Sequence, residues 1–96
     1  MLQFKDLEFI RQESQERIQA TLEIIPNVHL SVIAGPNEYS TPKSAIISPD
    51  EVISFEVGIR YGGAEVDWVV GGWKSREEIT LIMVDLYIGR YLDLRR

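Results

Sequence analysis

Ninety-six residues, 45% hydrophobic and 26% charged, are expected to form one globular domain over residues 1–96 with a single modest core, and they exclude a disordered chain. Fifteen acidic residues against ten basic ones give a net charge of −5, which disfavours nonspecific nucleic-acid binding and anionic membrane surfaces. The absence of cysteine excludes disulfide frameworks and thiolate metal sites, and no signal sequence, lipidation box or membrane-length apolar run is present, so a soluble cytoplasmic protein is expected.

The first element is expected to be an amphipathic helix over about 6–25. Leu7, Ile10, Ser14, Ile18, Leu22 and Ile25 follow steps of three and four, Asp6 can cap the start, and Pro26 stops the run. Val28 to Ala34 alternates as a strand, with Val28, Leu30 and Val32 on one face and His29, Ser31 and Ile33 on the other. Gly35 to Lys43 has loop composition, and Ser44 to Ser48 is a candidate short strand. Ser48-Pro49-Asp50-Glu51 carries a helix-start signature, but the period-two pattern after it limits that helix to one turn.

The strongest local signal runs from Val52 to Trp73. Ile53, Phe55, Val57, Ile59 and Tyr61 alternate with polar or small residues, Gly62-Gly63 follows, and Ala64, Val66, Trp68 and Val70 resume the pattern. This predicts a hairpin over about 52–61/64–71, because two glycines suit a two-residue turn. In that register Ile59 faces Val66, Val57 faces Trp68, Phe55 faces Val70, and Arg60 pairs with Glu65 on the other face. Gly71-Gly72 then breaks the strand. A second helix is expected over about 76–94, opened by a Ser75/Glu78 capping box, with Arg90, Arg95 and Arg96 complementing its C-terminal dipole. The predicted fold is a two-layer α+β domain: a mostly antiparallel sheet of 3–4 strands with both helices on one face.

No catalytic set emerges. His29 is the only histidine, and neither Ser31 nor Ser44 stands at a spacing that recruits it. No metal-binding or phosphate-loop motif occurs, and no cofactor is implied. Glu56 and Asp67 become diagonal neighbours about 7–8 Å apart in the predicted register, a pair that could hold a divalent cation or simply face solvent. Apolar residues on exposed faces are the better lead. Val69 and Trp73 fall on the polar side of the hairpin with Glu56, Arg60, Glu65 and Asp67, although Trp73 could instead turn inward past the glycines. Tyr87 and Tyr91 lie on a helix that is apolar nearly all round, which calls for burial within the chain or against a second copy. Tyr39 sits in the recognition-prone loop.

These features favour a small acidic, non-catalytic interaction protein: an adaptor or inhibitor of a larger basic partner, of the host-takeover, defence-blocking or immunity type. A structural assembly subunit, such as a ring-forming or phage-type connector or tail component, is the first alternative. A small metal-dependent enzyme or metal-binding domain using Glu56 and Asp67 is the second.

Overall fold

Among the described residues, five strands follow one another as an antiparallel meander, β1 (Ile10–Gln12), β2 (Arg17–Ile25), β3 (Val28–Ala34), β4 (Phe55–Tyr61) and β5 (Trp68–Lys74), and one α-helix, α1 (Arg76–Tyr87), packs on a single face of that sheet. The computed structural model describes residues 2–46, 48–61 and 68–89. Among the described residues no helix is long and apolar enough to cross a membrane.

The sheet takes its faces from simple alternation. Ile18, Ala20 and Ile24 of β2 are buried, while Arg17, Gln19, Thr21 and Glu23 are half-buried or exposed on the other side. Pro26-Asn27 is a two-residue turn joining Ile25 to Val28, with Asn27 at φ 66°, a conformation that asparagine tolerates. From β3 come Val28, Leu30, Val32 and Ala34, and from β4 come Phe55, Val57 and Ile59. The helix meets this surface with Ile79, Ile82, Met83 and Leu86, an i, i+3, i+4, i+7 stripe.

The N-terminal segment and the long β3–β4 connection close the ends of the core. Phe4 and Phe9 pack on the fully buried Phe55, with ring centroids 5.1 and 5.6 Å away. The Arg76 guanidinium lies 5.3 Å from both the Phe4 and Phe55 rings and donates to the Pro49 carbonyl at 2.8 Å. The Phe4 N–H donates to Thr80 Oγ1 at 3.0 Å, so the N-terminal segment is clipped to the helix. Ile46 and Val52 complete the apolar lining.

At the start of α1, Ser75 Oγ accepts the Glu78 N–H and Glu78 Oε1 accepts the Ser75 N–H, forming the expected capping box. The bond from the Ser75 N–H holds the Glu78 carboxyl below its ordinary range, helped by the Ser75 hydroxyl and the charge of Lys74. Ser48 and Glu51 form a second capping box around a single 3₁₀ turn, Pro49–Glu51, as the sequence predicts.

Four expectations are corrected. The segment 6–25 is not a helix: it forms β1, a 3₁₀ turn and β2, raising the strand count to five. The letters Arg17-Ile18-Gln19-Ala20-Thr21-Leu22-Glu23-Ile24 also alternate perfectly as a strand, and pairing with β3 along this segment decides for the strand. Ser44–Ala45–Ile46 is not strand; it is loop whose Ile46 N–H donates to the Glu16 carbonyl at 3.1 Å.

The hairpin register also differs. Ile59 stands across from Trp68, Val57 from Gly71 and Phe55 from Lys74, because irregularities between Phe55 and Gly58 slip the ladder. The Gly62-Gly63 turn and the Arg60–Glu65 pair lie outside the described residues. Finally, Gly71-Gly72 does not end the strand, which continues to Lys74, and the described helix ends at Tyr87.

Candidate protein-interaction surface

After β3 the chain leaves the sheet at Gly35, crosses the face opposite the helix, and returns at Thr41 to bridge Ser54. The excursion is tightly built. Ser40 is buried, and its hydroxyl accepts the Gly35 N–H at 3.1 Å and donates to the Gly35 carbonyl at 3.2 Å. Thr41 donates its N–H to the Ser54 carbonyl at 3.0 Å and accepts the Ile53 N–H at 2.8 Å.

Glu38 fixes the loop to β2. Its buried carboxylate accepts from Arg17 Nη1 at 2.9 Å. Arg17 Nε also donates to the Gln12 side chain, Gln12 donates to Gln19 at 2.7 Å, and Gln19 donates to Ser31 Oγ at 2.9 Å. This chain of side chains spans β1, β2 and β3 on the outer face. Each buried polar group has a partner, which is the condition for such a network to be stabilising.

The same loop presents Tyr39. Its N–H donates to Glu56 Oε1 at 2.8 Å, from the side of β4 opposite the buried Phe55 and Val57. Its carbonyl accepts the Trp73 N–H at 2.8 Å, and the two rings lie 5.3 Å apart, tilted by 42°. Lys43 Nζ sits 5.4 Å from the Tyr39 ring centroid. This close approach requires Gly72, because a Cβ there would overlap the Tyr39 Cβ and come within 2.8 Å of its carbonyl oxygen.

Trp73 adopts φ 55°, a left-handed conformation that a bulky residue rarely takes. It is 56% exposed and Tyr39 is 53% exposed, so Trp73 does not turn inward. Backbone strain, two hydrogen bonds and a dedicated glycine are therefore spent on holding an aromatic pair in solvent. Both carboxylates of the region are engaged, Glu56 by the Tyr39 N–H and Glu38 by Arg17, while Lys43 is exposed.

Tyr39, singled out from the sequence as a loop residue, thus converges with Glu56 and Trp73, which the sequence places on the polar side of the hairpin. Arg60 lies further along the same outer face, across the ladder from His29, and its buried Nε has no hydrogen-bond partner among the described residues. Val69 stands opposite Gly58 in the ladder. Tyr87 lies on the helix layer, exposed together with Leu81 and Ile88. Glu65, Asp67 and Tyr91 lie outside the described residues, and with Asp67 the Glu56–Asp67 pairing.

Sequence reasoning missed Lys43, the Arg17–Glu38 pair and the role of Gly72. The available signal was Gly72 directly before Trp73; nothing local linked either to position 39.

His29 Nε2 is 3.8 Å from Glu23, whose carboxylate accepts the Asn27 N–H at 3.1 Å, and Ser31 is occupied by Gln19. Among the described residues no group of three or more metal-ligating side chains is gathered. No protein-family model matches the chain, and neither a curated protein nor a solved structure matches it.

Proposed function

We propose that this protein is a small non-catalytic protein-interaction module whose contact surface is the Tyr39–Trp73 pair with Lys43 at its rim. The observation that carries the reading is the exposed Trp73 held at φ 55° against Tyr39. Tryptophan and tyrosine concentrate binding energy in protein interfaces, and a pre-organised pair loses little entropy when it docks. Glu56 serves the surface as a positioning group, through its bond to the Tyr39 N–H. The net charge of −5 adds long-range steering toward a basic partner, consistent with an adaptor or inhibitor.

Capture from the native cell with wild-type, Trp73→Ala and Ile10→Ser baits tests this. Ile10 is 70% exposed on β1 and controls for general stickiness. A protein retained by wild type and Ile10→Ser but lost with Trp73→Ala is the expected result; equal retention by all three baits rejects the surface.

A second reading, a structural assembly subunit, is favoured by the outer side of α1. There Leu81 and Ile88, seven residues apart, are 63% and 54% exposed on one side of the helix and Tyr87 is 56% exposed on another, on a chain that carries an aromatic patch on its other layer.

A further inference from the structure

We infer that the open edge of β2 pairs with the same edge of a second copy, antiparallel and centred on Leu22. This edge lies at the opposite end of the strand order from Trp73 on β5, and the inference does not rest on the reading of the Tyr39–Trp73 pair. β2 runs for nine residues, but β1 pairs only with Arg17, Ile18 and Gln19. Beyond Gln19, alternate residues still turn their N–H and C=O groups away from β3. Among the described residues, no backbone hydrogen bond outside the β2–β3 ladder reaches residues 20–25. Exposure rises where β1 stops. Leu22 is only half-buried, whereas Ile18, Ala20 and Ile24 of the same inward row are buried, and Thr21 and Glu23 are exposed on the outer face.

This edge also lacks the devices that keep strand edges apart, which are proline, lysine, bulges and kinks. The far edge of the sheet has them: Gly71 at φ 144° and Trp73 at φ 55° distort β5, and the Trp73 N–H is taken by the Tyr39 carbonyl. β2 contains no glycine, proline or lysine, and its ladder with β3 is regular from Ile18 to Glu23.

The sequence selects the occupant through the register. An axis on Leu22 sets Leu22 against its own copy, Thr21 against Glu23 and Ala20 against Ile24, and it keeps both apolar faces on one side. An axis on Glu23 would oppose two like charges, which destabilises a cross-strand pair. An axis on Thr21 would set Glu23 against Gln19, a position that β1 already holds through Ile10. An axis between two residues would set an inner-face side chain against an outer-face one and turn the apolar layers to opposite sides. With Leu22 on the axis, the two Glu23 carboxylates are diagonal neighbours, about 7–8 Å apart. Each accepts the Asn27 N–H of its own hairpin and lies 3.8 Å from its own His29. A two-fold contact of this kind is complete at a dimer.

Sedimentation of the full chain over a concentration series, with amide hydrogen exchange by nuclear magnetic resonance on the same samples, tests the inference. Wild type is expected to pass from monomer to dimer and no further, with protection of the outward amides among residues 20–24 rising as it does so. Thr21 is exposed, so its substitutions leave the core untouched. Thr21→Lys places two opposite-charge pairs across the axis and should tighten the dimer by about two- to thirtyfold, while Thr21→Glu should weaken it by a similar factor. Gln15→Lys, on the exposed turn before β2, makes the same change in net charge away from the axis and should alter the dimer constant less than Thr21→Lys does. Trp73→Ala should dimerise like wild type.

A wild type that stays monomeric throughout the series, with edge amides unprotected, overturns the inference. So does a dimer whose protection lies outside residues 20–24, or equal tightening by Thr21→Lys and Gln15→Lys, which would trace the effect to net charge rather than register. Loss of the dimer with Trp73→Ala would move the contact to the aromatic pair and overturn it as well. Failure of the edge pairing leaves capture of a different protein through Trp73 as it was, so the two readings fall separately.

Discussion

The Tyr39 carbonyl accepts the backbone N–H of Trp73 at 2.8 Å while the two side chains lie ring to ring at 5.3 Å. Tyr39 lies in the first part of the β3–β4 connection and Trp73 sits near the end of β5, thirty-four positions later by their numbers. The backbone bond sets the ring contact and the ring contact shields the bond, so loop and strand stand or fall together.

Gly72 is the sensitive point of that arrangement. Gly72→Ala places a methyl against the Cβ and carbonyl of Tyr39, atoms that cannot move without detaching the loop. Overpacking of this kind costs about 1–3 kcal/mol. The expected outcome is a lower urea midpoint together with a loss of near-ultraviolet circular dichroism from the aromatic pair. An unchanged spectrum would show that the contact tolerates displacement.

The Arg17–Glu38 pair should behave as a mostly buried ion pair. Its side chains retain 20% and 10% exposure, so part of the desolvation cost is relieved by water. Glu38→Ala strands Arg17 without its carboxylate and is expected to cost about 2–3 kcal/mol, below the value for a fully enclosed pair. Chemical denaturation measures it. Because Glu38 anchors the loop, hydrogen exchange at Tyr39 and Ser40 should also accelerate.

How much of this could be read from the sequence varied with the range of the contacts involved. The β3 alternation, the β4 core residues and both capping boxes were legible because their signals sit within a few residues of one another. The segment 6–25 was misread because its Glu- and Gln-rich letters satisfy both a helical step and a strand alternation. Only pairing with β3 decides between them, and local propensity carries no information about that pairing. Glu16, at φ 53° just before β2, gave no glycine to mark the turn. The candidate surface was legible residue by residue and not as a site. Tyr39, Glu56 and Trp73 are joined by a loop crossing the sheet, a relationship that no spacing rule encodes.

Phe55 should be the most costly core truncation on β4. It is fully buried beneath Phe4 and Phe9 and beside the Arg76 guanidinium. Phe55→Ala is expected to destabilise by about 3–5 kcal/mol, a large part of the stability of an ordinary domain. Denaturant titration provides the check, and a loss below about 1 kcal/mol would mean that the aromatic cluster is not packed as described.

The helix cap predicts a pH dependence with a definite sign. Glu78 has a depressed carboxyl pKa in the folded chain, so its stabilising effect is fully present above the ordinary carboxylate range and is lost as pH falls through the folded value. Wild type should therefore exceed Glu78→Gln in urea midpoint at neutral pH, and the gap should close on acidification. A gap that is constant with pH would place the effect elsewhere than in the charged capping box.

The measurement that bears most directly on the proposed function is the affinity of wild type and Trp73→Ala for the protein captured through this surface, taken by calorimetry on folded samples. A docked tryptophan anchor carries about 2 kcal/mol or more, so the affinity should fall at least about thirtyfold. An affinity unchanged by Trp73→Ala would contradict the assignment of the Tyr39–Trp73 pair as the contact surface.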